Sequence, residues 1–504
     1  MDDSTLHPDD NTVAREGLLS AIDVLESVAA DRSVLASLSK EEHHRLMAAA
    51  GRVTYASRTD RKKLQRALAS QAKTQAAEQD NALLNRTGIR KKRSRPNHAR
   101  PQGTAPRQLE SEGIEPVLSI PEALNRTRRC YVCKTGYSTV HHFYDSMCEA
   151  CGKTNLYYRN LSGDLSGRTA LVTGGRVKIG FQVTLKLLRA GARVLVTTRF
   201  PVDAAKRFLE EHDSPHWEKR LSIFGLDFRN IPSVEAFCEH VRSTEQRLDF
   251  IINNACQTVR RPAGYYLHLM EHERQPDVLP PQARDWLIDA HQTNNQLPSI
   301  RGSIPTSAEA SQVALLAEDN DTSTGLFPVG ALDADKQQID LRERNSWRLQ
   351  LEEVSSVEML EVQLVNTTAP FIINGRLKSL MTRTPERDKH VVNVSAMEGQ
   401  FYRKLKTSRH PHTNMAKAAL NMMTRTAAAD FIEDGIHMNS VDTGWITDED
   451  PAQHADRKRD QLGFHPPLDV IDGAARILAP IFEGMRTGQH VWGCFLKDYQ
   501  EADW

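Results

Sequence analysis

Residues 168–197 read RTALVTGGRVKIGFQVTLKLLRAGARVLVT, and the fold is decided there. Arg168–Thr173 is a short apolar run of strand character, and Gly174-Gly-Arg-Val-Lys-Ile-Gly180 turns it into a helix. The helix continues through FQVTLKLLRAGA with one apolar face, and Arg193–Thr197 supplies a second strand. Strand, glycine turn, helix and strand in that order separate a dinucleotide-binding turn from a chance cluster of glycines. The reason is electrostatic: backbone N–H groups at the helix start face a pyrophosphate.

The turn resembles the TGxxxGxG loop of the short-chain dehydrogenase/reductase family, written here Thr173-Gly174-x-x-x-Lys178-Ile179-Gly180, with Lys178 in place of the middle glycine. Lys178 can obstruct the approach of a cofactor or swing out to meet a phosphate. The resemblance continues with Asp227 after the third strand, where it implies an adenine contact, and with Asn254 and Ala255 after the fourth. It also covers Met438–Thr447, where Thr447 would meet the nicotinamide carboxamide. Thr197-Thr198-Arg199 ends the second strand without the acid that would bond ribose hydroxyls, and Arg176 and Lys178 add cations nearby. Cations suit a 2′-phosphate, so NADP is expected as cofactor, with NAD left open.

The family's chemistry uses an Asn, a Ser, a Tyr and a Lys, the Lys lying one helical turn after the Tyr. The resemblance implies Asn366 in LVNTTAPF for the first and Lys417 in NMAKAAL for the last. Four residues before Lys417 stands Thr413, whose aliphatic hydroxyl is far less acidic than a phenol. Ser395 lies one residue early for the family serine, with Ala396 at the expected place. The intervening stretch QFYRKLKTSRHPH offers Tyr402, His410 and His412 as substitutes, and Glu398 stands just before it.

Cys130-x2-Cys133 and Cys148-x2-Cys151 form two knuckles whose four thiolates predict a closed, structural zinc site. His141 and His142 lie between the pairs. A metal-binding free energy of about 10–16 kcal/mol would fold so small a module.

The fold class expected is therefore α/β: a doubly wound parallel-sheet Rossmann domain, preceded by a small zinc ribbon and a helical or disordered N-terminal region. The expected domains are a helical region at 1–80, a basic flexible linker at 81–128, the zinc ribbon at 129–160 and the Rossmann domain at 163–504. In the first region Leu18, Leu19, Ile22 and Leu25 recur at helical spacing, and Ser39 with Glu42 reads as a capping box. Between about 262 and 346 the pattern dissolves into an insert, expected as a lid or disordered excursion, with Tyr265–Met270 able to dock back.

The chain has 504 residues, 39% of them apolar, with mean hydropathy −0.52 and formal net charge zero. No global field steers it towards nucleic acid or membrane, and no window approaches 18 apolar residues. The acidic start MDDSTLHPDD is the opposite of a secretory signal, so a cytoplasmic protein is expected, or a nuclear one in a eukaryote. The basic cluster at 86–100 and the zinc ribbon could contact protein or nucleic acid, and a homo-oligomer is left open. Two functions follow: an NADP-dependent oxidoreductase with an altered tetrad acting on an unidentified small molecule, or a non-catalytic NADP(H)-binding regulatory or scaffold protein acting through its ribbon.

Overall fold

The computed structural model describes residues 8–94, 122–288, 306–402 except 322, 324 and 334, 406–462 except 448, and 465–504. It divides into two compact units, Met1–Gln79 and Asp80–Trp504. In the first, helices Pro8–Ala30 and Lys40–Thr54 precede Arg58–Asn85, which crosses the boundary. Ser39 and Glu42 close their capping box, Glu42 N–H donating to Ser39 Oγ at 3.2 Å. Leu18, Leu19, Ile22 and Leu25 are all exposed, because these helices pack too little apolar surface to enclose a core.

The second unit is built on strands β1 (Ala123–Arg129), β2 (Gly136–Thr139), β3 (Thr169–Thr173), β4 (Arg193–Thr198), β5 (Leu221–Gly225), β6 (Phe250–Asn253), β7 (Leu287–Ile288), β8 (Lys389–Ser395), β9 (Ile436–Asp442), β10 (Phe495–Lys497) and β11 (Gln500–Ala502). β1 and β2 make a small antiparallel hairpin. The other nine form one sheet in the order β11-β10-β9-β8-β6-β3-β4-β5-β7, parallel throughout except for the β10–β11 pair. β3, β6, β8 and β9 are buried along their whole length, the pattern of parallel strands covered by helices on both faces. Chain order reverses between β3 and β6, and a doubly wound sheet opens its ligand crevice outside the carboxyl ends at such a point.

The cysteine module is not free-standing. A hairpin and the helix Glu149–Asn160 are too small to bury their own apolar faces. Val140, Tyr144 and Met147 instead share one core with Leu83, Leu84 and Ile89 on one side and with Ile446 and Leu468 on the other. Polar clamps reinforce this contact. Tyr144 Oη donates to Asp472 Oδ1 at 2.6 Å, and Arg159 binds Asp472 at 2.7 Å and Asp469 at 2.7 and 2.8 Å. Asp469 and Asp472 cap the start of helix Val470–Thr487, so the module holds the end of a Rossmann helix.

Two expectations need correction. The basic stretch in 81–128 is not a free linker over its described residues: Gly88–Ser94 is helical, Ile89 is fully buried, and Arg90 binds Asp145 at 2.7 Å. Its cations neutralise the knuckle's own acid, which composition alone does not reveal; residues 95–121, with Arg95 and Arg100, lie outside the described residues. The 262–346 insert is also mostly docked, residues 289–305 being outside the described residues. Helix Ala263–Glu273 buries Tyr265, Tyr266, Leu269 and Met270 against Phe200 and Phe327. Arg260, buried just before the insert, binds Asp319 at 2.5 and 2.8 Å and Glu361 at 3.0 Å. The Tyr265–Met270 stretch thus docks back through its apolar residues, whereas the Arg260 anchor is ionic, so hydrophobic periodicity could not signal it. Among the described residues no helix is long and apolar enough to cross a membrane.

Truncating Arg159 tests the clamp. Arg159→Ala leaves Asp472 buried without its cation, and loss of one partner of a buried pair costs about 3–5 kcal/mol. Denaturant unfolding should show that loss in the Asp80–Trp504 unit, whereas a change below about 1 kcal/mol would mark the pair as surface-like.

Candidate active site

The glycine turn is shaped by close approach. Gly174 has φ of +68°, and a Cβ there would lie 2.9 Å from Ala255 Cα. A Cβ on Gly180 would lie 2.2 Å from the Gly174 carbonyl oxygen and 2.4 Å from Asn254 Nδ2. Asn254 Nδ2 donates to the carbonyls of Thr173 and Gly174 at 3.0 and 3.2 Å, and Ala255 N–H donates to Thr173 Oγ1 at 2.9 Å. Thr173, Gly174, Gly180, Asn254 and Ala255 thus form one tight junction where β3 and β6 end.

Lys178 occupies a left-handed backbone position, φ +53°, where the family has glycine. For a residue with a Cβ this costs roughly 1–2 kcal/mol. Its ammonium swings out to Glu449 Oε1 at 3.5 Å, and Glu449 also accepts from Thr447 Oγ1 at 2.6 Å. Glu449 raises the Lys178 pKa, and Lys178 lowers that of Glu449. Lys178 and Thr447 are therefore joined across the mouth of the groove.

A cavity of about 1130 Å³ opens from this turn along the strand ends, lined by Lys178, Ile179, Arg199, Asp227, Ser395 and Lys417 among others. Its volume exceeds the roughly 300–1,000 Å³ of ordinary small-molecule pockets. Arg176 also lines it but is paired with Asp203 at 2.6 Å. Arg199 instead donates to Tyr266 Oη at 2.7 Å and lies over the rings of Tyr266 and Phe200. Burial would raise the Tyr266 pKa, yet Arg199, Arg176 and Arg261 together lower it, the mark of a strongly cationic corner. In the sequence Tyr266 reads only as part of a stretch able to dock back, and Arg261, just before the insert, belongs to no motif that would single it out. Asp227 is buried and bound by Arg229 at 2.7 Å, whose cation outweighs burial and lowers its pKa.

The tetrad positions divide. Asn366 sits in a π-helical turn, Leu364–Thr368, and its carboxamide takes the N–H of Gln257 at 2.7 Å and donates to its carbonyl at 3.2 Å. It fixes the loop after β6. Ser395, at the end of β8, donates to Asn421 Oδ1 at 2.6 Å, and Lys417 Nζ donates to the Val394 carbonyl at 2.7 Å. Thr413 is spent on the helix start: its hydroxyl donates to the His410 carbonyl at 2.9 Å, and it does not line the cavity. Tyr402 is half-exposed, with its hydroxyl near Met397 Sδ at 3.9 Å, and is likewise outside the cavity lining. Both expectations are corrected on geometry, since neither hydroxyl faces the cavity. His412 is buried against Glu358 at 3.3 Å, again away from it.

His410 and Glu398 do line the cavity. His410 has φ of +43°, stacks on Trp347 with ring centroids 4.0 Å apart, and burial lowers its pKa. Asp442 lines it too, and sequence reasoning passed it over. It is the register neighbour of Ser395 on the adjoining strand. Burial pushes its carboxyl up to about 6 against the pull of Lys497, with Glu398 adding to the rise. The only sequence signal was an acid inside the Met438–Thr447 segment that the resemblance covers.

The cysteine module supplies one wall. Tyr131 and Lys134 line the cavity, and Tyr131 Oη accepts the Trp445 N–H at 2.9 Å. One sulfur from each of Cys130, Cys133, Cys148 and Cys151 lies within 4.8 Å of the others. Cys133 and Cys148 Sγ are 3.7 Å apart, close to the edge of about 3.8 Å for a tetrahedron with Zn–S bonds of about 2.3 Å.

Family profiles match both halves of this site: "short chain dehydrogenase" over residues 168–268 and "Enoyl-(Acyl carrier protein) reductase" over 344–468. The chain belongs to the short-chain dehydrogenase/reductase family. The stretch between the two matches falls inside the insert. The chain is similar to protein R665 of Acanthamoeba polyphaga mimivirus, 30% identical over 366 residues, covering 70% of this chain and 71% of that one. It is 38% identical to human dehydrogenase/reductase SDR family member 13 over 95 residues, or 18% of this chain and 24% of that protein. With mouse retinol dehydrogenase 14 it shares 33% over 102 residues, 18% of this chain and 30% of that protein. The alignments thus span about a quarter to a third of these two dehydrogenases. Among solved structures, a short-chain dehydrogenase from Burkholderia cenocepacia in complex with NADP matches at 17% identity and TM-score 0.41, covering 66% of this chain and 97% of that one. NADPH-bound carbonyl reductase from chicken fatty liver matches at 17% and TM-score 0.40, covering 68% and 100%.

Gly180→Ala tests the junction. The added methyl meets a backbone oxygen that cannot move aside, and overpacking of this kind costs about 1–3 kcal/mol. A lowered Tm with loss of dinucleotide binding is expected; unchanged binding would show that the turn is looser than described.

Proposed function

We propose that this family member is an NADP-dependent oxidoreductase in which the proton-transfer group has moved from the catalytic helix to the strand ends, with Asp442 in that role. The observation that carries the reading is one buried carboxyl beside Ser395, in the same cavity as Lys417 and the glycine turn, while the Thr413 hydroxyl is bound to the His410 carbonyl outside that cavity. Arg199, which has no carboxylate ion pair among the described residues, is the cation for a 2′-phosphate, with Tyr266 and Arg261 beside it. Lys417 and Thr447 orient the nicotinamide end. When bound, NADPH supplies the hydride. The protonated Asp442 carboxyl holds the proton that passes to the substrate oxygen as a carbonyl becomes a hydroxyl, and Ser395, held by Asn421, stands beside it. Four thiolates bind a structural zinc, which keeps Tyr131 and Lys134 in the cavity wall.

The sign of the pH dependence follows. Reduction needs the acid form, so its kcat/KM should fall as pH rises through about 6, and oxidation of the alcohol should rise over the same interval. Asp442→Asn should lower turnover by roughly 10²–10⁴-fold while leaving NADPH affinity unchanged. NADPH consumption against a panel of carbonyl compounds measures both. Wild-type binding without any turnover would favour the second reading, a cofactor-binding protein without chemistry, to which the loss of Thr413 and Tyr402 from the cavity already leans. Arg199→Ala should erase the preference for NADPH over NADH by about 10- to 100-fold, the worth of one charge-assisted contact. An unaltered preference measured by calorimetry would move the phosphate elsewhere.

A further inference from the structure

At the other end of the sheet, β8 and β9 each carry a histidine as second residue. His390 and His437 are register neighbours, and His490, in the turn after helix Val470–Thr487, comes up beside them. Ring centroids are 5.2, 5.1 and 4.7 Å apart, and one nitrogen of each ring lies within 4.8 Å of the others. His390 is fully buried and His437 nearly so.

The surroundings do not explain the cluster as an ion-pair network. Asp388 and Arg387 are the charges that act on it. Asp388 is bound by both terminal nitrogens of Arg168 at 2.7 and 2.8 Å, and Arg387 donates to the carbonyls of Ile432 and Glu433. His437 shares Nδ1 with the Lys389 carbonyl at 3.1 Å, which fixes the proton there and leaves Nε2 as the free donor of a lone pair. His390 Nε2 and His490 Nδ1 face each other at 2.9 Å, and His390 Nδ1, wholly buried, has no partner. Gly484 makes room for the third ring, since a Cβ there would lie 2.2 Å from His490 Nδ1.

We propose that His390, His437 and His490 form a second metal site, binding a divalent first-row transition metal, zinc by preference, through three neutral imidazoles. Imidazole suits this class of ion, and three protein nitrogens leave a fourth position for water or a small anion. Bonds of about 2.0–2.1 Å place ligand nitrogens roughly 3.3 Å apart, so the His390–His490 contact opens by about half an ångström as the ion enters. That hydrogen bond is given up, and its proton moves to the outer nitrogen of the same ring, so each imidazole stays neutral. The site lies five residues down the strands from Ser395 and Asp442, about 17 Å away at about 3.3 Å per residue. It clamps β8, β9 and the approach to β10 and stands apart from the chemistry.

Full-length protein equilibrated by dialysis with zinc and assayed by mass spectrometry tests this. Wild type should hold about two zinc ions per chain, one in each site. His437→Asn, and separately Gly484→Ala, should hold about one, as should the double variant Cys133→Ser, Cys148→Ser. Loaded with cobalt(II), the cysteine variant should keep d–d absorption without thiolate charge transfer. One ion in wild type, or two retained by His437→Asn, overturns the proposal and leaves a hydrogen-bonded histidine cluster. The wild-type count needs no variant to fold.

Discussion

The structure depends on a place where no side chain fits. Between the turn after β3 and the end of β6, the missing Cβ of Gly180 would sit 2.2 Å from one backbone oxygen, and that of Gly174 would meet Ala255. This proximity lets helix Lys178–Arg189 begin directly over the strand ends, with its N–H groups aimed at the crevice. Lys178 tolerates a left-handed backbone in the same turn because its side chain has somewhere to go, reaching Glu449 at 3.5 Å. A substitution that looks disruptive in the motif is thus absorbed by an ion pair across the groove.

The cysteine module and the sheet are one construction. Arg159 and Tyr144 bind the acids that cap helix Val470–Thr487, and Tyr131 accepts from the backbone of Trp445. The segment Gly444–Thr447, which borders the cavity, is therefore held to the module through Tyr131. Cysteine spacing predicts the four thiolates well, since a metal site is local in sequence. It cannot predict the docking, because Asp469, Asp472 and Trp445 lie hundreds of residues away.

That contrast runs through the site. β3, the glycine turn, Ser395 and Lys417 were legible because strand, turn and helix signals act over a few residues. Thr413 and Tyr402 carry hydroxyls at readable positions, yet one is bound to the His410 carbonyl and the other stands outside the cavity. Asp442 matters through burial and through its neighbour on another strand, neither of which a linear pattern contains. The insert was legible as an interruption with one apolar stretch able to dock, but the extent of its docking was not, because buried pairs such as Arg260–Asp319 hold it and charged residues read as solvent-facing until their partners are known.

The central claim is that the cavity beside the glycine turn is a dinucleotide site selective for the 2′-phosphate. Calorimetric titration of the wild-type chain with NADPH and with NADH, at matched ionic strength, measures it directly. Saturable binding of about one NADPH per chain, at least roughly tenfold tighter than NADH, is the expected result. Failure of both dinucleotides to bind the folded protein would contradict it.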